Sequence, residues 1–343
     1  MKSESRTRVC VSADPHDFRG ASPRIRFIPF FVVLTAAIFF CAPSSAWAWG
    51  CKGHQVVALI AEINLTPHAL AMVKQILHDG PIDPSLSRYC KEGGADPMAD
   101  ASTWPDDIRP LRPEAAPWHY IDIPLGTSRR EIAEFCPLPE SCVTQAITDE
   151  VAILRSPGID PQKKADALRF LIHFVGDLHQ PLHATSNNDQ GGNCVPVVFL
   201  DALPQLRNPD TESYAPNLHG VWDTNILDRM TTGKTSEQVA SELEESFRSQ
   251  ITRWKKASPD VNGWAWESYR LAQKAYGKLP VRIPVESPQL VKSCADDNHI
   301  STRMLKLNER LEQPYQDVAT PIVQRRIAQA GARLALLLNR LWP

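Results

Sequence analysis

The sequence predicts a mainly α-helical protein with a single domain behind an N-terminal leader. Three observations carry that expectation. Pro321 to Trp342 place Ile327, Ala330, Leu334, Leu337, Leu338 and Leu341 at three- and four-residue steps, a broad apolar stripe along one helix. Arg169 to Ala184 read as a buried helix whose ionisable positions recur one turn apart. No linker, low-complexity tract or internal repeat divides residues 49–343, so they are read as one core.

From the N-terminus, residues 1–26 are polar and lean basic. Phe27 to Ala42 form an apolar run, interrupted by Pro29 and Thr35, and Ala46-Trp47-Ala48 follows as an A-x-A cleavage signature. The run falls short of the ~18 uninterrupted apolar residues of a spanning helix, so 1–48 reads as a secretory signal peptide cleaved after Ala48. No other segment approaches that length. The mature chain is therefore expected to be secreted or periplasmic, with no membrane anchor. Cleavage gives Trp49 a free α-amine, a nitrogen donor with an unperturbed pKa of about 8.

The next elements follow from local pattern. Val56 to Glu62 are apolar enough to pack in a core, and Asn64 to Leu77 have helical character. Asp79 to Pro97 form a Gly/Pro-rich loop. Trp118 to Pro124 alternate as an extended segment rich in aromatic and β-branched residues. Asn187 to Cys194 are a polar, glycine-containing loop. Thr235 to Lys255 and Trp264 to Tyr276 are amphipathic helices, and Asn64-Leu65-Thr66 is a glycosylation sequon in a eukaryotic host.

Charge and cysteine content set limits. The leader holds six of the 37 basic and three of the 39 acidic residues, leaving 31 against 36 and a formal charge of −5. Proteins that grip nucleic acid by charge alone are usually basic. Six cysteines remain beyond the leader: Cys51, Cys90, Cys136, Cys142, Cys194 and Cys294. Their even number favours disulfides, in any of 15 pairings, and they lack the C-x-x-C spacing of a structural zinc site. A bridge from Cys51 is expected to help pin Trp49.

The central helix carries the chemistry. His173 and Asp177, four residues apart, share one face, with Leu171, Phe174, Val175 and Leu178 packing around them. Pro181 hinders a continuing helix, so the chain turns there and can bring His183 back to the same place. His219 and Asp223 form a second such pair. Any one of these histidines is most simply a satisfied core residue, but imidazoles with carboxylates in this density are a ligand set for Zn²⁺. His68, His78 and His299 stand outside every motif and are read as solvated or capping.

The motif Trp49-Gly50-Cys51-Lys52-Gly53-His54 directly after a signal peptide, followed by His173-x-x-x-Asp177-x-x-x-x-x-His183, resembles the zinc-dependent S1/P1 nucleases. Trp104-Pro105-Asp106-Asp107-Ile108-Arg109 looks like that family's Trp-x-Asp-x-x-Arg segment, and His119-Tyr120-Ile121-Asp122 like its His-[Tyr/Phe]-Ile-Asp. Gly191-Gly192-Asn193 and His219-x-x-x-Asp223 match further segments in the family's order. The resemblance implies a phospholipase C/P1 nuclease-like helical fold with a trinuclear zinc cleft. One zinc would take Asp106, His119, His173 and Asp177. A second would take His183, His219 and Asp223. A third would take the Trp49 amine, His54 and a bridging Asp177. Three Zn²⁺ would bring the mature charge to +1 and make the attraction for phosphate local.

The resemblance further implies a monomeric hydrolase that cuts single-stranded DNA and RNA to 5′-phosphate products and also acts on 3′-nucleotides. Arg109 would clamp a phosphate, Tyr120 would stack a base, and Asn193 would lie beside the substrate. Asp122 would orient a ligand histidine or the attacking water. His179, at a variable position, is not counted as a ligand. A Cys136–Cys294 bridge is implied as well. Two alternatives share much of this pattern: a phospholipase C-like zinc phosphodiesterase and an exported zinc-binding protein without activity.

Overall fold

The computed structural model describes residues 49–90, 96–128, 131–136, 141–277, 293–296 and 310–343. Residues 1–48, expected above as a signal peptide, part of the 79–97 loop and His299 lie outside them. The long helices begin where the sequence supplies a cap. Thr66 caps α2 (Pro67–Asp79), its side chain accepting from Ala69 N. Asp160 caps α6 (Pro161–His179) by accepting from Lys163 N at 3.1 Å. Thr235 and Gln238 form a reciprocal capping box on α9 (Ser236–Trp254), and Asp260 caps α10 (Val261–Ala275).

The predicted helices are present with shifted ends. The N-terminal motif is itself helical: α1 runs Gly50–Ile63. Asn64 does not start a helix. It ends α1, its side-chain amide donating to Ile60 O and Glu244 Oε2, both at 2.8 Å. In the folded chain Asn64 is buried with that amide engaged. The terminal helix, α11, starts at Gln313 and runs to Leu341, with Pro321 inside it. Pro321 and Asp317, whose carbonyl loses its intrahelical donor, both lie on the exposed face, where water can replace the bond.

Short helices α3 (Pro97–Ala101) and α4 (Trp104–Ile108) precede α5 (Val143–Arg155). A further helical run is formed by α7 (Leu218–Gly220), a wider π turn (Val221–Asn225) and α8 (Ile226–Met230). Strands are few. β1 (Val198–Phe199) pairs in parallel with β4 (Arg310–Leu311), and β2 (Gln205–Asn208) pairs antiparallel with β3 (Ser213–Ala215).

The centre of the molecule is α6, which is buried at every residue from Ala167 to His179. α2, α4, α5, α10 and α11 pack around it, and α1 packs on α9 and α11. The apolar faces meet in one continuous cluster. Gly331 lets α1 and α11 approach closely, since a Cβ there would lie 2.6 Å from the Ile60 side chain. No described helix is long and apolar enough to cross a membrane.

The six cysteines pair as Cys51–Cys90, Cys136–Cys142 and Cys194–Cys294. The bridge from Cys51 is present. The expected Cys136–Cys294 tie is not: Cys136 closes a local loop of sequence separation 6, and the tie from the late segment goes to Cys194 at separation 100.

Candidate metal centre

The C-terminal end of α6 sets the geometry. Its 3.6-residue repeat stacks His173 and Asp177 on one face, Nε2 3.3 Å from Oδ2. Gln180 then leaves the helix with extended dihedrals, as a residue before proline prefers, and Pro181–Ala184 form a 3-10 turn. That turn returns His183 toward the cluster. The Gln180 side chain anchors it, accepting from Leu182 N and donating to Asp223 Oδ1.

His119 ends another 3-10 turn, Pro113–His119, so the extended conformation expected from Trp118 begins only at Tyr120. Beyond Tyr120 the chain is laced to the 183–186 segment: Ile121 N donates to His183 O at 2.8 Å, and Leu125 N to Ser186 O at 3.0 Å. This lacing holds His119 with its Nδ1 3.0 Å from Asp177 Oδ2 and 3.1 Å from His173 Nε2. Asp106 comes from α4, 3.7 Å from His173 and 3.9 Å from His119. His54 comes from α1, Nε2 3.3 Å from Asp177 Oδ1, its ring stacked on His173. Trp49 is fully buried at a left-handed φ of 53°, and its indole donates to Gly176 O at 2.8 Å. Gly176 has no side chain because a Cβ there would meet His54 Nδ1 at 2.9 Å.

Every charged or imidazole residue expected as a ligand therefore reaches the site. Potential ligand atoms converge within 4.8 Å in three groups: His54, Asp106 and His173; His119, His173 and Asp177; His183, His219 and Asp223. Hydrogen bonding of the rings indicates what belongs between them. His173, His183 and His219 each donate Nδ1–H to a backbone carbonyl (Ser102, His119 and Gly191) at 2.7, 2.8 and 2.8 Å. A carbonyl cannot donate, so in each neutral ring the lone pair sits on Nε2. The Nε2 atoms of His183 and His219 nonetheless face each other at 3.0 Å. Among the described residues, His119 Nε2, Asp106 Oδ1, Asp177 Oδ1 and Asp223 Oδ2 are buried without a hydrogen-bond partner. Buried polar atoms are otherwise nearly always paired. A divalent cation accepts such lone pairs, so the donor set fits Zn²⁺.

Titration behaviour follows from the crowding. Burial, aided by the charge of His173, lowers His54 to about 4, and burial lowers His119 to about 3. Burial opposes charge on His173 too, but Asp177 and Asp106 override it and raise this ring to about 9. Burial would raise Asp177, yet the charge of His173 and the close imidazoles of His119, His173 and His54 hold it well below the usual carboxylate range. Asp106 is pushed up to about 7 by burial, with His173 and Arg109 only partly offsetting it. Burial likewise takes Asp122 to about 7, with Asp189 adding to the effect.

The expected substrate residues sit at the rim. Arg109 ends α4 with its guanidinium 3.6 Å from Asp106. Tyr120 is 37% exposed directly after His119. Asn193 donates its amide to Gln190 O at 2.9 Å, within the loop whose Gly191 carbonyl positions His219. His179 is no ligand: its Nδ1 meets Val175 O and its Nε2 the Arg333 guanidinium. His68 and His78 are exposed.

Two supporting residues escape a reading of motifs. Gln180 ties Asp223 to the 3-10 turn. Asp189, fully buried, accepts from Tyr276 Oη and from Gly192 N, and so organises the loop behind His219. For Gln180, its place between a ligand segment and Pro181 is a usable signal. For Asp189 there is none, because Tyr276 lies 87 residues away.

Comparison with known proteins agrees with this geometry. The family model described as S1/P1 Nuclease matches residues 49–343. Endonuclease 1 of Arabidopsis thaliana is 27% identical over 324 residues, 91% of this chain and 92% of the relative. Endonuclease 5 of the same plant is 30% identical, covering 87% and 91%. Nuclease S1 of Aspergillus oryzae is 25% identical, covering 91% and 98%. The chain, a mainly α-helical hydrolase with clustered His and Asp donors for metal, belongs to the S1/P1 nuclease family.

Proposed function

We propose that residues 49–343, released from a signal peptide after Ala48, form an exported zinc phosphodiesterase. It cuts single-stranded DNA and RNA to 5′-phosphate products and removes phosphate from 3′-nucleotides. Three Zn²⁺ are held: by Asp106, His119, His173 and Asp177; by His183, His219 and Asp223; and by the Trp49 amine, His54 and Asp177. The observation that most supports this is the facing of the His183 and His219 Nε2 atoms, 3.0 Å apart beside Asp223, while both Nδ1–H groups are spent on backbone carbonyls. Bound zinc brings a water toward neutral pKa and offsets charge on phosphoryl oxygens.

The chain's own residues position the rest. Arg109 presents a planar fork of donors to two oxygens of the scissile phosphate. Asp177 stays ionised at any working pH and keeps three imidazoles aimed at one point. Asp122, raised to about 7, can hold or accept a proton near neutrality while it orients the attacking water. Tyr120 offers an exposed ring face to a base without strong preference for which base. Asn193 lines the approach. No nucleophilic Ser or Cys is required, and cleavage is direct hydrolysis.

The test uses mature protein starting at Trp49, with single-stranded DNA, RNA, a 3′-nucleotide and a choline phospholipid as substrates. Cleavage of the two polymers to 5′-phosphate ends, lost with EDTA and restored by Zn²⁺, is expected. Hydrolysis of the phospholipid alone would replace this reading with the phospholipase one.

A further inference from the structure

The Cys51–Cys90 disulfide belongs to a larger clasp between two parts of the site. Cys51 lies between Trp49 and His54 in the first turn of α1. Cys90 ends a segment whose two preceding residues both grip α4. Tyr89 N donates to Asp107 Oδ1 at 2.7 Å, and Arg88 Nε pairs with Asp107 Oδ2. Arg88 also reaches Asp100 O at 3.0 Å, Thr103 Oγ1 at 2.9 Å and Asp100 Oδ1 at 3.1 Å. Asp107 directly follows Asp106. A continuous path of one covalent bond and several charge-assisted hydrogen bonds therefore joins the segment carrying Trp49 and His54 to the segment carrying Asp106 and Arg109.

Outside its own helical bonds the first turn of α1 makes few polar contacts among the described residues. Trp49 and Gly50 both take left-handed backbone angles, with φ of 53° each. Beyond the turn's own helical bonds, Trp49 is fixed by its indole on Gly176 O, and Lys52 reaches Lys234 O at 3.1 Å from an exposed position. Trp49 and Gly50 are buried like Gly53 and His54, while Cys51 and Lys52 between them are only partly buried. A bridge at Cys51 thus adds a covalent tie to the partly buried step between Trp49 and His54, whose Nε2 lies 3.3 Å from Asp177 Oδ1.

We propose that Cys51, Cys90 and Arg88 are positioning residues for the N-terminal metal. They hold Trp49 and His54 in register with Asp106 and Asp177, and so set the occupancy of that one metal. The inference rests on the proposed metal role of Trp49 and His54. Ligand positions must be kept to within about 0.5 Å for a metal site to form well, and loss of outer supports typically weakens metal binding 10- to 100-fold. Asp106 is the other ligand on an element the clasp grips, and its metal keeps His119, His173 and Asp177, which a 3-10 turn and α6 hold apart from the clasp. The second 3-10 turn and the α7 run likewise hold His183, His219 and Asp223.

The test counts zinc per chain in mature holoprotein and follows zinc released to a weak chelator. Wild type should retain three. The variant Cys51→Ala/Cys90→Ala should retain two, with the third returning only at zinc concentrations raised at least tenfold. Arg88→Gln, which keeps the disulfide, should shift the same single metal and serves if the double variant does not fold. Ile251→Ala, in the buried core face of α9, should lower the melting temperature while keeping three zincs, so stability loss alone does not mimic the effect. Three tightly held zincs in Cys51→Ala/Cys90→Ala, or in Arg88→Gln if that alone folds, would overturn the clasp. Fewer than three in wild type would instead overturn the metal assignment on which it rests.

Discussion

The Nε2 atoms of His183 and His219 lie 3.0 Å apart while each ring donates its Nδ1 proton to a backbone carbonyl. Two Nε2 atoms at that distance are satisfied by a proton on one ring or by a metal cation bound to both, and Asp223, 3.2 Å from His219, completes a ligand set for the cation. His219→Ala should remove one zinc and lower kcat/KM by more than about 100-fold, beyond the usual effect of losing a residue that only supports a ligand. Metal analysis on the purified variant checks this. Full zinc content would separate these rings from metal binding.

Arg109 stands 3.6 Å from Asp106 at the rim of the cluster. Arg109→Ala should lower kcat on single-stranded DNA by about 10-fold or more with zinc content unchanged, since its donors act on the phosphate. Arg109→Lys should recover only part, because a point charge cannot reproduce the fork. Unchanged turnover in Arg109→Ala would remove it from the site, and would suit a protein that only carries zinc.

Zinc binding should release protons in a pH-dependent way. In the metal-free site His173 holds its proton up to about 9 and Asp106 up to about 7, while His54 and His119 are already neutral above about 4. Both folded values of the first pair are raised, so the stability they lend the metal-free fold is complete at low pH. It is lost as pH rises through about 7 for Asp106 and about 9 for His173. Zinc must displace those protons, so its affinity should climb from about pH 6 to about pH 9. Roughly two protons should be released at the lower pH and fewer at the higher. Calorimetry in buffers of different ionisation enthalpy measures this directly. Affinity independent of pH would contradict the assignment.

Behind α6, Glu267 pairs with Arg326 at 3.1 Å and with Arg333 at 2.6 Å. Arg326 in turn donates to His179 O and Ser268 Oγ. These contacts hold the end of the helix that bears Asp177. Glu267→Ala would leave two guanidiniums buried without their carboxylate. Because Glu267 is itself about a third exposed, the cost should be about 2 kcal/mol, below the ~3–5 of a fully buried pair. A melting temperature several degrees lower, with zinc content kept, is the expected result.

How much of the fold and the site is legible in the sequence depends on how far apart the partners lie. His173/Asp177 and His219/Asp223 announce themselves because a helix converts four-residue spacing into a shared face. The turn at Pro181 is equally local, and so is the cap that separates α1 from α2 once Thr66-Pro67 is read as a start. Pairings of distant residues have no such rule. Cys194 meets Cys294 across 100 residues, and Glu267 meets Arg326 and Arg333 across 59 and 66. Only the packing of whole helices decides those. Pro321 shows the converse: a strong local signal for a helix start is overridden because its missing donor faces solvent on α11.

A start at Trp49 is also a chemical claim. A chain with two extra residues ahead of Trp49 has an amide nitrogen in place of the amine, and an amide nitrogen is no comparable ligand. It should bind one zinc fewer than the mature chain and lose most of its activity.

The most direct measurement is anomalous diffraction at the zinc absorption edge from crystals of the mature, zinc-loaded protein. Three peaks are expected: one among His183, His219 and Asp223, one among Asp106, His119, His173 and Asp177, and one between Trp49, His54 and Asp177. Peaks elsewhere, or none at the His183–His219 pair, would contradict the trinuclear centre.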